Sequence, residues 1–195
     1  MFLVIEGPNG VGKTAVAQST VAGLRRRFPA SPIVGTREPS GTALGQAIRL
    51  LEGSMPPRSL ALSCAADRLD HVAREIEPAL EGGAIVVCDR YVPSSLVLQR
   101  LDGLGLEELW ALNKEARSPD ATVYLEADPA TIQKRLTERG RRSRFELSVG
   151  PEVELALYKE ARDFLSLQGW RHYVVGSQGR TADEVAADVI RLAFE

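Results

Sequence analysis

Short apolar runs alternate with longer stretches of helical period along most of this chain. Residues 2–6, 32–36, 84–88, 121–125 and 172–175 read as strands. Most are nearly continuous apolar runs, which predicts strands buried on both faces, as in a parallel sheet. Residues 13–28 read as a helix directly after the first strand. Residues 58–80 carry the clearest helical pattern: Leu62, Ala65, Ala66, Leu69, Val72, Ala73, Ile76 and Leu80 recur at helical spacing and predict one apolar stripe. Asp128 before Pro129 reads as an N-cap and first helical residue. Thr181 with Glu184 matches a capping box opening a last helix, with Val185, Val189 and Leu192 inside. Residues 53–57 and 103–105 read as loops. The alternation predicts an α/β fold of three layers with right-handed crossovers, whose ligands bind at the carboxyl ends of the strands. No repeat, low-complexity tract or long linker interrupts it, so residues 1–195 are expected to form a single domain.

Gly7-Pro8-Asn9-Gly10-Val11-Gly12-Lys13-Thr14 follows the first strand and leads into a helix. It fits G-x-x-x-x-G-K-[ST] in the context that a Walker A phosphate loop requires. Glycines let backbone N–H groups turn inward around an anion, and the helix N-terminus adds a positive dipole. Lys13 is expected to reach the β and γ phosphates, and the Thr14 hydroxyl to ligate Mg²⁺. Asp89-Arg90-Tyr91 ends the third apolar run. A carboxylate at that strand tip suits Mg²⁺ held through water, and Arg90 suits a phosphate, although a surface ion pair would read the same way. Arg37-Glu38-Pro39-Ser40-Gly41-Thr42 ends the second strand similarly, either as a site segment or as an ordinary turn. Arg68 shares a helix face with Cys64 and could reach a ligand. Arg139-Gly140-Arg141-Arg142-Ser143-Arg144 reads as an arginine-rich lid, over about residues 139–147, that would neutralise charge during phosphoryl transfer. Arg25, Arg26 and Arg27 close the first helix and read as dipole-favoured charge. His71, His172, Trp110 and Trp170 carry no spacing that points to chemistry and read as structural.

Composition narrows the picture further. The chain has 195 residues, 44% hydrophobic and 26% charged, which excludes a disordered or fibrous protein. A net charge of −2 gives no global basic field, so neither nucleic acid nor an anionic membrane is expected as a partner. Cys64 and Cys88 cannot make a disulfide framework and read as buried thiols of a reducing cytoplasm. No apolar run reaches the ~18 residues of a membrane span, and no signal peptide is read at the N-terminus.

Together the motifs resemble the thymidylate kinase family of nucleoside monophosphate kinases. The residues that carry the resemblance are Gly7 to Thr14, Arg37 to Thr42, Ala65-Ala66-Asp67-Arg68, and Asp89-Arg90-Tyr91 with Ser94, Ser95 and Gln99. The segment from Arg139 to Glu146, and Tyr158, extend it over nearly the whole chain. The resemblance implies a five-stranded parallel sheet, ATP as donor, Mg²⁺ at Thr14 and Asp89, and a deoxynucleoside monophosphate as acceptor. The expected reaction is dTMP plus ATP to dTDP plus ADP. It also implies a homodimer packed through the long helices. By position, Arg90 and Arg49 would hold the acceptor phosphate and Arg68 would bond the base. Asn9, Arg37, Glu38, Cys64, Ser95, Leu98 and Gln99 would complete the acceptor site. Arg142 or Arg144 would supply charge at the transition state, with Lys13 and Asp89 organising the γ-phosphate and metal.

Four positions depart from the family's usual residues. Asn9 stands where a carboxylate is usual, Cys64 where a phenylalanine is usual, Leu98 where an aromatic is usual, and Ser40 where glycine is common. Two lost rings predict a wider acceptor pocket and a weaker thymidylate complex, since base stacking contributes about 1–3 kcal/mol. A kinase with another acceptor, and a nucleotide-binding switch without acceptor chemistry, are the competing readings. Arg90 and the arginine-rich segment argue against the switch.

Overall fold

The structure, a computed structural model, describes residues 1–140, 145 and 149–195. The chain order is β1 (Phe2–Glu6), α1 (Lys13–Arg27), β2 (Ile33–Arg37), α2 (Ala43–Leu51) and α3 (Pro57–His71). A π-helical turn (Val72–Ile76) joins α3 to α4 (Glu77–Glu81). Then come β3 (Ile85–Asp89), α5 (Val92–Leu101), α6 (Leu106–Asn113), β4 (Ala121–Glu126), α7 (Pro129–Arg139), α8 (Pro151–Leu167), β5 (His172–Gly176) and α9 (Ala182–Phe194).

The five strands pair in parallel in the order β2-β3-β1-β4-β5. Successive β1 side chains face opposite layers. Phe2 and Val4 join Val72, Ile76, Leu96 and Leu109 on one face, while Leu3 and Ile5 join Val16, Leu24, Val185 and Val189 on the other. This explains the unbroken apolar runs of β1 and β3. At the sheet's edges, β2 and β5 are only partly covered. The chain leaves β1 towards β3 and β2 and later returns on the far side to β4. A crevice therefore opens outside the carboxyl end of β1, where Ile5, Asp89 and Arg37 lie at one level and Glu6 stands one residue beyond.

The expected helix over 58–80 departs from a single α-helix. Pro78 has no N–H for the Arg74 carbonyl and its ring would collide with it, and the π-helical turn over Val72–Ile76 accommodates this. The expected single stripe also divides. Ala65, Val72 and Ile76 are buried, whereas Leu62, Ala66, Leu69 and Ala73 form a second, exposed line.

Candidate active site

The phosphate loop is built as its glycines require. Gly7 has φ 136°, and a Cβ there would lie 2.4 Å from the Leu125 carbonyl oxygen. Gly12, the N-cap of α1, takes the left-handed conformation at φ 106°. Lys13 is buried and folded back on its own loop, its Nζ donating to the carbonyls of Gly7 at 2.5 Å and Pro8 at 2.8 Å. Burial, and then the charge of Arg90, lower its pKa to about 7. A cavity of about 310 Å³ lies over this loop, lined by Asn9, Gly10, Gly12, Lys13, Thr14, Ala15, Arg90, Arg135 and Arg139.

Thr14 Oγ1 donates to Asp89 Oδ2 at 2.6 Å, while Asp89 Oδ1 is buried with no hydrogen-bond partner among the described residues. A hydroxyl and a half-satisfied carboxylate beside a phosphate loop form a donor set that fits Mg²⁺. Arg90 is held at φ 74°, a strained backbone for a non-glycine residue, directly at the strand tip. Its Nη2 donates to Asn9 Oδ1 at 2.6 Å and its Nη1 to Ser94 Oγ at 3.2 Å. The neutral Asn9 amide thus orients the guanidinium without cancelling its charge.

A second cavity adjoins Arg90. It is lined by Glu38, Cys64, Arg68, Ser95, Leu98, Gln99 and Phe145, among others. Arg68 is buried, and four of its five N–H groups have protein acceptors: Glu38 Oε2, Asn113 Oδ1, the Tyr91 carbonyl and Ser95 Oγ. Its guanidinium also covers the Tyr91 ring at 5.3 Å. Gln99 is buried too, and its Oε1 has no partner among the described residues. Burial raises the Cys64 thiol to about 11, so that side chain contributes apolar surface rather than a thiolate. Beside Cys64 and Leu98 stands Phe145, which is buried with Ile48 and Leu60, with Cys64 and Leu98 packed against the three.

Not every expected residue reaches this cavity. Arg49 braces the loop after β2, donating to the carbonyls of Pro39 and Ser40. Arg37 is exposed and lines a neighbouring groove with Thr14, Arg25, Glu75 and Asp89. Arg142 and Arg144, with the rest of 141–144 and 146–148, lie outside the described residues.

Three contributors were not foreseen. Glu6, wholly buried, accepts from Tyr91 N, Ser94 N, Ser94 Oγ and the Tyr158 hydroxyl. Burial raises its pKa, against the lowering charges of Arg90 and Lys13. Glu154 Oε1 accepts from Asn9 N at 2.9 Å. Arg135 ties the phosphate loop to the segment after β5, donating to Val11 O, Ser177 Oγ and Ser177 O. Its spacing of four from Arg139 on α7 was the available signal.

Comparison with known proteins agrees with this geometry. The family model described as thymidylate kinase matches residues 5–164. A probable thymidylate kinase of Pyrobaculum calidifontis is 37% identical over 195 residues, covering 98% of this chain and 95% of that protein. One from Staphylothermus marinus is 36% identical, covering 100% of this chain and 94% of that protein. The thymidylate kinase of Geobacillus thermodenitrificans is 39% identical over 150 residues, covering 72% of this chain and 66% of that protein. The crystal structure of thymidylate kinase from Ehrlichia chaffeensis superposes with a TM-score of 0.74 over 98% of this chain and 97% of that one, at 24% identity. That likeness speaks for the fold alone.

Proposed function

The chain belongs to the thymidylate kinase family, and on that premise we propose that it transfers the γ-phosphoryl group of ATP to dTMP, giving dTDP and ADP. The observation that carries the acceptor assignment is a pair of residues lining the second cavity. Arg68 can only donate and, among the described residues, keeps one N–H uncommitted, while Gln99 Oε1 has no donor there. A base edge with an oxygen beside an N–H meets both needs. Thymine presents its 4-oxygen next to N3–H, whereas cytosine presents an amino group to a residue that cannot accept. The apolar surface of Cys64, Leu98 and Phe145 suits a ring carrying a 5-methyl group.

On this reading Arg90 holds the acceptor phosphate, since it borders both cavities. Loop amides and Lys13 hold the donor's triphosphate, the ammonium exchanging the Gly7 and Pro8 carbonyls for phosphate oxygens. Thr14 and Asp89 would hold Mg²⁺, which neutralises charge on the β and γ phosphates when bound. The transferred group then needs only positioning and charge stabilisation, without a covalent intermediate. Arg142 and Arg144 remain our proposal for arginines that act on the developing charge.

We further propose a homodimer through the exposed line of Leu62, Ala66, Leu69 and Ala73, an apolar face at 4-3-4 spacing that water would otherwise cover. The unpaired Cys64 and Cys88 fit a reducing, cytoplasmic setting, and among the described residues no helix is long and apolar enough to cross a membrane. Steady-state assays with Mg²⁺-ATP and dTMP, dUMP or dCMP test the acceptor. The expected result is the highest kcat/KM for dTMP and the lowest for dCMP; a dCMP value at or above that of dTMP refutes the base-edge argument.

A further inference from the structure

Three side chains from the end of α3 hold the segment that follows β2. Asp67 accepts from Ser40 N and Ser40 Oγ, both at 2.6 Å, and from Thr42 Oγ1 at 3.2 Å. Arg68 Nε donates to Glu38 Oε2 at 2.7 Å. His71 has no exposed surface and lies between Thr36 and Glu38, with Nε2 2.8 Å from Thr36 Oγ1 and Nδ1 3.3 Å from Glu38 Oε1. A carboxylate only accepts, so the proton facing Glu38 belongs on Nδ1. Glu75 Oε2 also approaches Nε2, at 3.5 Å. The π-helical turn begins immediately after this histidine.

A glutamate's last torsion is broad, so one bond to Arg68 fixes one oxygen and leaves the carboxylate plane free to turn. Two attachments, one on each oxygen, fix the plane. We propose that His71 is a positioning residue for acceptor recognition: by holding the second oxygen of Glu38 it fixes the carboxylate that aims Arg68 at the base. This rests on the thymidylate reading of the cavity. His71 touches no substrate on this account and acts only through Glu38.

The test compares His71→Ala, His71→Gln and His71→Asn. The asparagine amide nitrogen falls near the place of Nδ1 and can reach Glu38, whereas the glutamine amide falls near Nε2 and serves Thr36. The KM for dTMP should rise about tenfold in the Ala and Gln variants, the cost of one charge-assisted hydrogen bond. It should return to within about threefold of the parent in the Asn variant, while the KM for ATP stays unchanged in all three. In a Glu38→Gln background, His71→Ala should add nothing further. The Arg68 Nε–H signal in ¹⁵N–¹H spectra should exchange slowly in the parent, faster in the Gln variant and slowly again in the Asn variant. This last readout needs no turnover. A parent protein that does not phosphorylate dTMP refutes the functional reading but leaves the exchange test of His71 standing. Equal behaviour of the Gln and Asn variants, or an equal rise in both KM values, overturns the positioning role and leaves His71 a core residue.

Discussion

Lys13 in the phosphate loop is a charged group held under conditions that oppose its charge. The folded protein releases its proton near pH 7, and the ordinary value is 10.5. Between those values the unfolded chain carries a proton that the folded chain has shed, so folding stability rises with pH across that window and the cost of the ammonium is at its full size below pH 7. Lys13→Met removes this dependence. Urea midpoints measured at about pH 6.5 and pH 9.5 should show the parent gaining on the variant as pH rises; parallel curves would contradict the shift. Triphosphate oxygens favour the charged form, so ATP binding at about pH 8 should take up close to one proton, read by calorimetry in buffers of different ionisation enthalpy. Lys13→Ala should lower kcat about 10³-fold in a protein that remains folded. Phe145 tests the acceptor side. If its ring stands in for the aromatic absent at Cys64, Phe145→Ala should raise the KM for dTMP about tenfold with little change for ATP; equal effects on both substrates would make it simple core.

At the scale of elements, the site depends on what each strand tip presents to the helix after it. Glu6 ends β1 and satisfies the first turn of α5 through Tyr91 N and Ser94 N. Glu6→Ala orphans Tyr91 N, leaves Ser94 N with the Tyr91 carbonyl at 3.1 Å and leaves the Ser94 and Tyr158 hydroxyls with each other at 3.2 Å, and should cost about 2–4 kcal/mol in urea unfolding. A loss below about 1 kcal/mol would mean that water replaces the carboxylate. The elements themselves were largely legible in the sequence, because β1, β3 and β4 are buried on both faces and their runs are unbroken. The phosphate loop was legible because its chemistry demands glycines at fixed spacing. Glu6 was not, since one carboxylate ending an apolar run has no periodicity of its own. The split of the 58–80 helix could have been read from Pro78, but the division of its stripe could not. Leu62 and Ala65 both fit a helical period, and only the position of the sheet decides which of them is covered. The resemblance places Arg37 and Arg49 in the acceptor site by position, but position in a motif does not set where a long side chain points: Arg37 lines a neighbouring groove and Arg49 donates to the loop carbonyls of Pro39 and Ser40.

For the whole molecule, the phosphate-loop cavity and the second cavity both border Arg90, and none of Leu62, Ala66, Leu69 and Ala73 lines either. Leu62→Glu with Leu69→Glu should turn a dimer into a monomer in sedimentation, with the fold retained; an unchanged mass would remove this face as the contact. The central claim is that one chain joins ATP at the phosphate loop to a thymine nucleotide at Arg68. It is tested most directly by following the labelled γ-phosphoryl group of Mg²⁺-ATP in an equimolar mixture of dTMP and dCMP. Label recovered mainly in dTDP is the predicted result. Label appearing in dCDP to the same extent, or only in inorganic phosphate, would contradict it.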